Sequence, residues 1–383
     1  MRTSARSHTR TSARSYTRAS ARPHARAFAL LALPLAGALA LTGCAGGDAK
    51  PEGAETKKVS IVVHDSFVDG EAFAKQASAA TGYDVEVMTA GDGGELANKL
   101  VLTKGAPIAD AFFGIDNTFA SRLIDNDVVD PVPADTLPER ALKIAAELDP
   151  AGAEAGTVPL VPIDIGATCV NIDTAWFAEQ GVAEPTTFED LADPTYKDLT
   201  VLLDPTASST GASFMIATIA AFGEDGFTEY WKSLESNGAR IVQGWTEAYN
   251  TEFTGVNDAG TRPIVVSYST SPAFTVNDDE TESNTRALLD TCSSQTEYAG
   301  VLAGSANPEG AQAVVEYLLS GEFQAEIADQ MYMYPVDEAV ELPASWAKFA
   351  PLPAEGQPHD LSSAEIQAGL DGWLRTLGDA VGL

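Results

Sequence analysis

This sequence predicts an α/β fold in two lobes. Three observations lead there. Short, continuous apolar runs alternate along the chain with helical patterns, the arrangement that α/β architectures share. The portion after Cys44, about 340 residues, exceeds one ordinary core and calls for two lobes. Four of the apolar runs end on polar side chains: "SIVVHDS" at Asp65, "DAFFGID" at Asp116, "TVLLDP" at Asp204 and "PIVVSYS" at Ser267 and Tyr268. Runs of that kind read as parallel strands covered on both faces. In open α/β sheets, ligands bind beyond the carboxyl ends of the strands.

The first 26 residues carry seven arginines, Arg2 through Arg26, and no acid; the apolar run "AFALLALPLAGALALTGC" follows. A positive start, a short apolar core and small residues before a cut describe a secretory signal, here residues 1–43. The core is shorter than a membrane-spanning helix requires, and Pro34 interrupts it. "LTGC" resembles a bacterial lipobox, which implies a lipid on Cys44 and an anchor at the outer face of the cytoplasmic membrane. Residues 44–57, rich in Gly, Ala and charge, read as a flexible tether. The alternative is an uncleaved anchor, or a start codon placed too far upstream.

Removing the signal takes away seven of the 23 Lys+Arg, leaving 16 against 55 Asp+Glu, a formal charge of −39. Such a surface argues against nucleic acid, whose backbone demands basic patches. It suits a cationic ligand, and it equally serves solubility alone. Two further cysteines, Cys169 and Cys292, lack the CxxC spacing of zinc or redox sites. Outside the membrane such a pair is more often a disulfide than a metal site, with two buried thiols as the alternative.

Taken in chain order, His64, Asp65 and Ser66 first set the residue types of a hydrolase triad side by side. Consecutive strand side chains point to opposite faces, whereas triad members converge from separate segments. No G-x-S-x-G elbow surrounds Ser66 either, so no catalytic residue is assigned. Next, "GGELANKLVLTKG" places Leu96, Leu100 and Val101 on one helix face and stops at Gly105. Asp116, followed by Asn117, serves as a ligand contact or as a cap. Asp204 in "DPTASSTGASF" reads as a turn entering a helix, where Ser208, Ser209, Thr210 and backbone N–H groups can meet a ligand.

Aromatic residues gather in "QGWTEAYN" (Trp245, Tyr249), "SYSTSPAF" (Tyr268, Phe274) and "QMYMYPV" (Tyr332, Tyr334). Loop aromatics beside carboxylates suit a flat organic cation through stacking and cation–π attraction, though any one of them alone is more often packing. Asn307 caps and Pro308 opens a helix whose stripe of Ala311, Val314, Val315, Leu318 and Leu319 is packing. The last helix turns Ile366, Leu370, Trp373, Leu374 and Leu377 to the core. The HExxH, P-loop, GxGxxG and EF-hand patterns are absent, and no metal site is assigned.

In order, "HDSF", "GDGGELANKL", "ADAFFGIDNTFASR", "VPIDIG", "LLDPTASSTG", "QGWTEAYN", "SYSTSPAF", "NPEGAQAVVEYLLS" and "MYMYPV" resemble the thiamine-binding substrate-binding proteins of bacterial ABC importers. The likeness runs from Lys58 to Leu383. "GWTEAY", "SYSTSP" and "MYPV" are the runs that separate the thiamine branch from iron-binding relatives. The resemblance implies a periplasmic-binding-protein fold of type II, its mixed sheets flanked by helices, with a ligand cleft between lobes that close through hinge segments. It implies a ligand site of His64, Asp65, Ser66, Asp116, Asp164, Ser208, Ser209, Trp245, Tyr268, Phe274 and Tyr332. Asp116 would sit near the bound cation, Trp245 and Tyr268 would line the pocket, and the two serines would meet the hydroxyethyl or phosphate end. Three positions depart from the family's pattern: His64 and Phe274 stand for tyrosines, and Tyr332 for a tryptophan. The lobes would be residues 58–160 with 295–330, and 161–290 with 335–383.

The implied function is capture of thiamine or its phosphates, with delivery to the permease and ATPase subunits of an importer and no cofactor. One alternative is a receptor of the same fold for ferric ion or another cation, with Asp65, Asp116 and Asp204 as ligands. Another is an enzyme acting on a thiamine-like compound, with Cys169 as a nucleophile if its thiol is free.

Overall fold

The computed structural model describes residues 57–383. The secretory signal, the lipidation at Cys44 and the tether up to residue 56 lie outside the described residues. The strands are β1 (Lys58–Val63), β2 (Asp84–Thr89), β3 (Ala111–Asp116), β4 (Val129–Asp130), β5 (Val132–Pro133) and β6 (Thr157–Val158). They continue with β7 (Val161–Asp173), β8 (Thr200–Leu203), β9 (Arg240–Val242), β10 (Ile264–Tyr268), β11 (Thr285–Leu302) and β12 (Tyr334–Pro335). Ten of them form one sheet in the order β2-β1-β3-β11-β7-β10-β8-β9, with β12 beside β7 and β4 beside β11.

That order shows how the two halves are joined. β1 pairs in parallel with β2 and β3, and β8 pairs in parallel with β9 and β10. Between these groups run β7 and β11, 13 and 18 residues long. They are antiparallel to each other and to their outer neighbours, β10 and β3. Both far exceed the usual strand of about 5–6 residues, so one hydrogen-bonded ribbon passes from the first group to the second. Its register shifts between Leu288 and Ser293, and again between Glu297 and Tyr298. Extra residues at such points bend and twist a strand. The expectation of parallel strands thus holds for the outer groups, while the connecting strands make the sheet mixed.

The apolar runs are covered on both faces: Ile61, Val62 and Val63 of β1 and Phe112, Phe113 and Ile115 of β3 are buried. The helix Gly93–Leu102 buries Leu96 and Leu100 and ends before Gly105, because Thr103 caps it and its hydroxyl donates to the Lys99 carbonyl. The helix Pro308–Leu318 starts as expected, its cap Asn307 accepting the Gly310 N–H at 2.9 Å. A capping box between Ser362 and Glu365 opens the helix Ser363–Val381, which buries the five expected side chains.

Cys169 on β7 and Cys292 on β11 are joined by a disulfide across 123 residues. It links the two long strands at the first register shift. In the chain-entropy picture a loop of that size is worth about 4–5 kcal/mol. The bond removes the free thiol that Cys169 would need as a nucleophile.

Candidate functional site

β1 ends at Val63, so His64, Asp65 and Ser66 lie in the turn beyond it rather than on the strand. His64 Nδ1 accepts the Ser66 backbone N–H at 3.2 Å. The imidazole proton therefore sits on Nε2, which faces Glu297 Oε1 at 3.7 Å and finds no hydrogen-bond partner among the described residues. Gly114 makes room for the ring: a Cβ there would stand 1.9 Å from His64 Cδ2, and its φ of +96° is one that side chains resist. Burial pushes the His64 pKa down to about 4, which keeps the ring neutral at neutral pH. Asp65 is exposed, and the Ser66 hydroxyl lies 3.2 Å from that of Thr246.

A residue not singled out from the sequence, Asp92, ties the first half of the chain to the second. Its carboxylate accepts backbone N–H groups from Gly93 at 2.6 Å, Ser209 at 3.0 Å and Trp245 at 3.0 Å. Gly94 permits the approach, since a Cβ there would stand 2.7 Å from the Ala207 carbonyl oxygen. Gln243 Nε2 also donates to Glu95 Oε1 at 2.9 Å across the same seam. The only sequence trace of this clasp is the "GDGG" run, which reads equally as a helix start.

The aromatic clusters converge. Trp245 stacks on Tyr249 with centroids 4.9 Å apart, lies 5.8 Å from Tyr268 and meets the edge of Tyr332 at 5.5 Å. Its indole N–H donates to Ser267 Oγ at 2.8 Å, fixing the ring. Tyr268 Oη lies 3.1 Å from Thr210 Oγ1. Phe274 stacks on the far side of Tyr332, centroids 3.5 Å apart. His64, Ser66, Trp245, Tyr268 and Tyr332 together line a cavity of about 40 Å³. Glu297, Gln330 and Met331, none of them expected, complete it. Ligand pockets usually hold about 300–1,000 Å³, so this cavity is much smaller than a usual ligand pocket.

The other expected residues do not line this cavity. Asp116 is fully buried; its carboxylate accepts the N–H groups of Thr118 and Phe119 at 3.1 and 3.3 Å, the capping role foreseen as one of its two options. Burial pushes its pKa up to about 7. Asp164, also fully buried, lies directly across from Glu297 in the β7–β11 ladder. Ser208 caps the helix Ser209–Phe222 by accepting the Gly211 N–H at 3.2 Å, and Ser209 is held by Asp92. Asp204 shapes its own turn, accepting from the Thr206 N–H and hydroxyl. A roomier cavity of about 470 Å³, lined by Ser269, Arg286 and Lys348, holds none of the expected residues.

Stacking rings, one buried carboxyl group and fixed hydroxyls are what this cavity offers a ligand. The model of a bacterial extracellular solute-binding protein matches residues 106–355. The chain is similar to the thiamine-binding periplasmic protein of Salmonella typhimurium, 25% identical over 327 residues, covering 83% of this chain and 93% of that one. Among solved structures it resembles a periplasmic thiamin binding protein with a TM-score of 0.70 and 25% identity, over 85% of this chain and 96% of that one. It also resembles iron-bound HitA from Pseudomonas aeruginosa, TM-score 0.63 and 20% identity, over 84% and 99% of the two chains, a likeness of fold alone. These likenesses bear out the two-lobed α/β fold expected from the sequence. With the family model covering more than half its length, the chain belongs to the bacterial extracellular solute-binding proteins.

Proposed function

We propose that this chain is an extracytoplasmic receptor that captures thiamine in the cleft between its lobes and delivers it to an ABC permease and ATPase. The observation that carries the reading is the enclosure of one small cavity by Trp245, Tyr268, Tyr332 and the neutral His64 ring, with buried carboxyl groups behind them. Thiamine has a permanently charged thiazolium and a flat aminopyrimidine, and such walls offer stacking to both rings and negative charge to the first. The names of the relatives support the same ligand.

In this reading His64, Ser66, Trp245, Tyr268 and Tyr332 touch the ligand, and Phe274 backs Tyr332. Asp65, Asp116 and Asp164 supply negative potential, while Ser208 and Ser209 hold the helix start that meets the hydroxyethyl or phosphate end. The lobes are residues 58–160 with 295–330 and 161–290 with 335–383, and the β7–β11 ribbon is the hinge. The chain acts as a binding protein, without catalysis, held at the membrane by lipid on Cys44 after loss of the signal. The iron reading has less support, because the iron-binding neighbours share the fold alone.

Trp245 gives the test. Thiamine titrated into the chain should quench tryptophan emission saturably at roughly micromolar ligand or below, and Trp245→Phe should remove most of the signal. A flat response to thiamine and to its phosphates would move the ligand elsewhere, with ferric ion as the next titrant.

A further inference from the structure

Three carboxyl groups stand in a row across the centre of the sheet. Glu297 on β11 is registered with Asp116 on β3 and, on its other side, with Asp164 on β7. Residues directly opposite on neighbouring strands point to the same face, with Cβ atoms about 4.5–5.5 Å apart. All three are buried, Asp116 and Asp164 fully. Asp116 has its N–H donors, whereas Asp164 is met only by Glu297, through its side chain and its backbone N–H. What Asp164 faces is the Glu297 carboxyl group. Two carboxylates in contact away from water cannot both be ionised, so this pair holds a proton between them.

The row does not end inside the core. Glu297 reaches the cavity, where the buried and unpartnered His64 Nε2 points at it from 3.7 Å. The other titratable groups around Glu297 are Asp92 at the start of the helix Gly93–Leu102, Tyr268 at the end of β10, and Tyr332 after the helix Gly321–Met331. None of the described residues lining the cavity is Lys or Arg. With no Lys or Arg beside it, the pair keeps its one shared proton until a positive charge arrives.

We propose that Glu297 is the counter-ion of the cationic ligand, and that the row Asp116–Glu297–Asp164 releases one proton to solvent as the cation enters. The step balances: the O–H bond of the shared proton breaks, the proton leaves to water, and the pair's second negative charge is offset by the incoming +1, so the net charge of the site is unchanged. Burial and the neighbouring Asp164 and Asp116 carboxyls hold the Glu297 pKa well above the usual carboxylate range, in accord with a shared proton that sits on Glu297 in the free chain. The row therefore selects on charge. A flat neutral molecule can stack between the same rings, yet it gives the row no reason to ionise. The inference rests on the thiamine reading and goes beyond it, naming the group that senses the charge and its proton cost.

The test is calorimetric titration of thiamine into the chain in buffers of differing ionisation enthalpy. Wild type should release about one proton per thiamine, and affinity should then rise about tenfold per pH unit through the range where the row is protonated. Glu297→Gln, which keeps the shape, should bind at least about tenfold more weakly with proton release near zero. Asp164→Asn should also abolish the release, so a fold defect in one variant leaves the other as a check. Thiochrome, a neutral flat relative of thiamine, should bind without releasing a proton. Thiamine binding with no proton release overturns this inference alone. No binding heat at all overturns the thiamine reading, and this inference with it.

Discussion

The Asp92 carboxylate accepts the Trp245 backbone N–H at 3.0 Å, and so an acid from the "GDGG" turn holds the segment that carries the largest ring of the cavity. The same carboxylate holds Ser209. Hydrogen bonds to a charged group are worth about 1.5–3 kcal/mol each, so Asp92 holds these segments together far more firmly than the Ser66–Thr246 contact does. Asp92→Ala should weaken thiamine binding by about 10- to 100-fold through a less populated closed form, with the fluorescence change at saturation retained. Unaltered affinity in that titration would leave Asp92 as a helix cap and nothing more.

Gly114 sets the position of the His64 ring. Gly114→Ala brings a Cβ to 1.9 Å from His64 Cδ2 at a φ of +96°, combining overpacking with backbone strain. The expected loss of stability is about 1–3 kcal/mol, read from the denaturant midpoint, together with a weakened thiamine response. A change within about 0.5 kcal/mol, the range of an ordinary surface substitution, would contradict the seat described for His64.

Acid should act on His64 in a defined direction. The ring is held neutral in the folded chain with a pKa of about 4, against 6.5 for the ordinary group. Between those values the unfolded chain binds the extra proton, so this residue lowers stability as the pH falls from about 6.5 toward 4. The full difference amounts to about 3 kcal/mol. Asp116 works in the opposite sense: its folded pKa is raised to about 7, so its contribution is lost as the pH rises from about 4 to 7. The comparison of wild type with His64→Phe isolates the histidine. The variant should gain relative stability as the pH drops from 6.5 to 4.5, and parallel curves would mean that the ring is not held neutral.

Reduction should weaken the ribbon. Cys169 and Cys292 are fully buried, so a reductant reaches them only when the strands part, and protection should fail slowly under native conditions. Once the bond is broken, or in Cys169→Ser/Cys292→Ser, stability should fall by up to about 4–5 kcal/mol. Thiol titration of the unfolded, unreduced chain provides the companion check, and reactive thiols from this pair would deny the bond.

Much of the fold was legible in the sequence because it follows from local periodicity. The continuous apolar runs gave β1, β3, β8 and β10, and helical spacing gave the helices Pro308–Leu318 and Ser363–Val381 with their buried faces. The aromatic clusters were legible as candidates because Trp, Tyr and Phe in polar loops need a partner. Their convergence on one cavity was not. Asp92 was hidden because a helix cap and a clasp between distant segments carry the same sequence signal. Glu297 was hidden because it lies inside "SSQTEYAG", part of an 18-residue strand with no apolar run around it to mark a strand end.

By itself, the sequence determined the α/β class, the disulfide-capable cysteine pair, the acidic surface and the residue types offered to a ligand. These depend on composition and on neighbours a few positions away. Tertiary structure alone decided which acids meet: Asp116, Glu297 and Asp164 come from three separate strands, placed side by side only by the register of β3, β11 and β7. Register is set by long-range pairing and by the shift between Glu297 and Tyr298, and a slip of one residue would turn the Glu297 side chain to the other face.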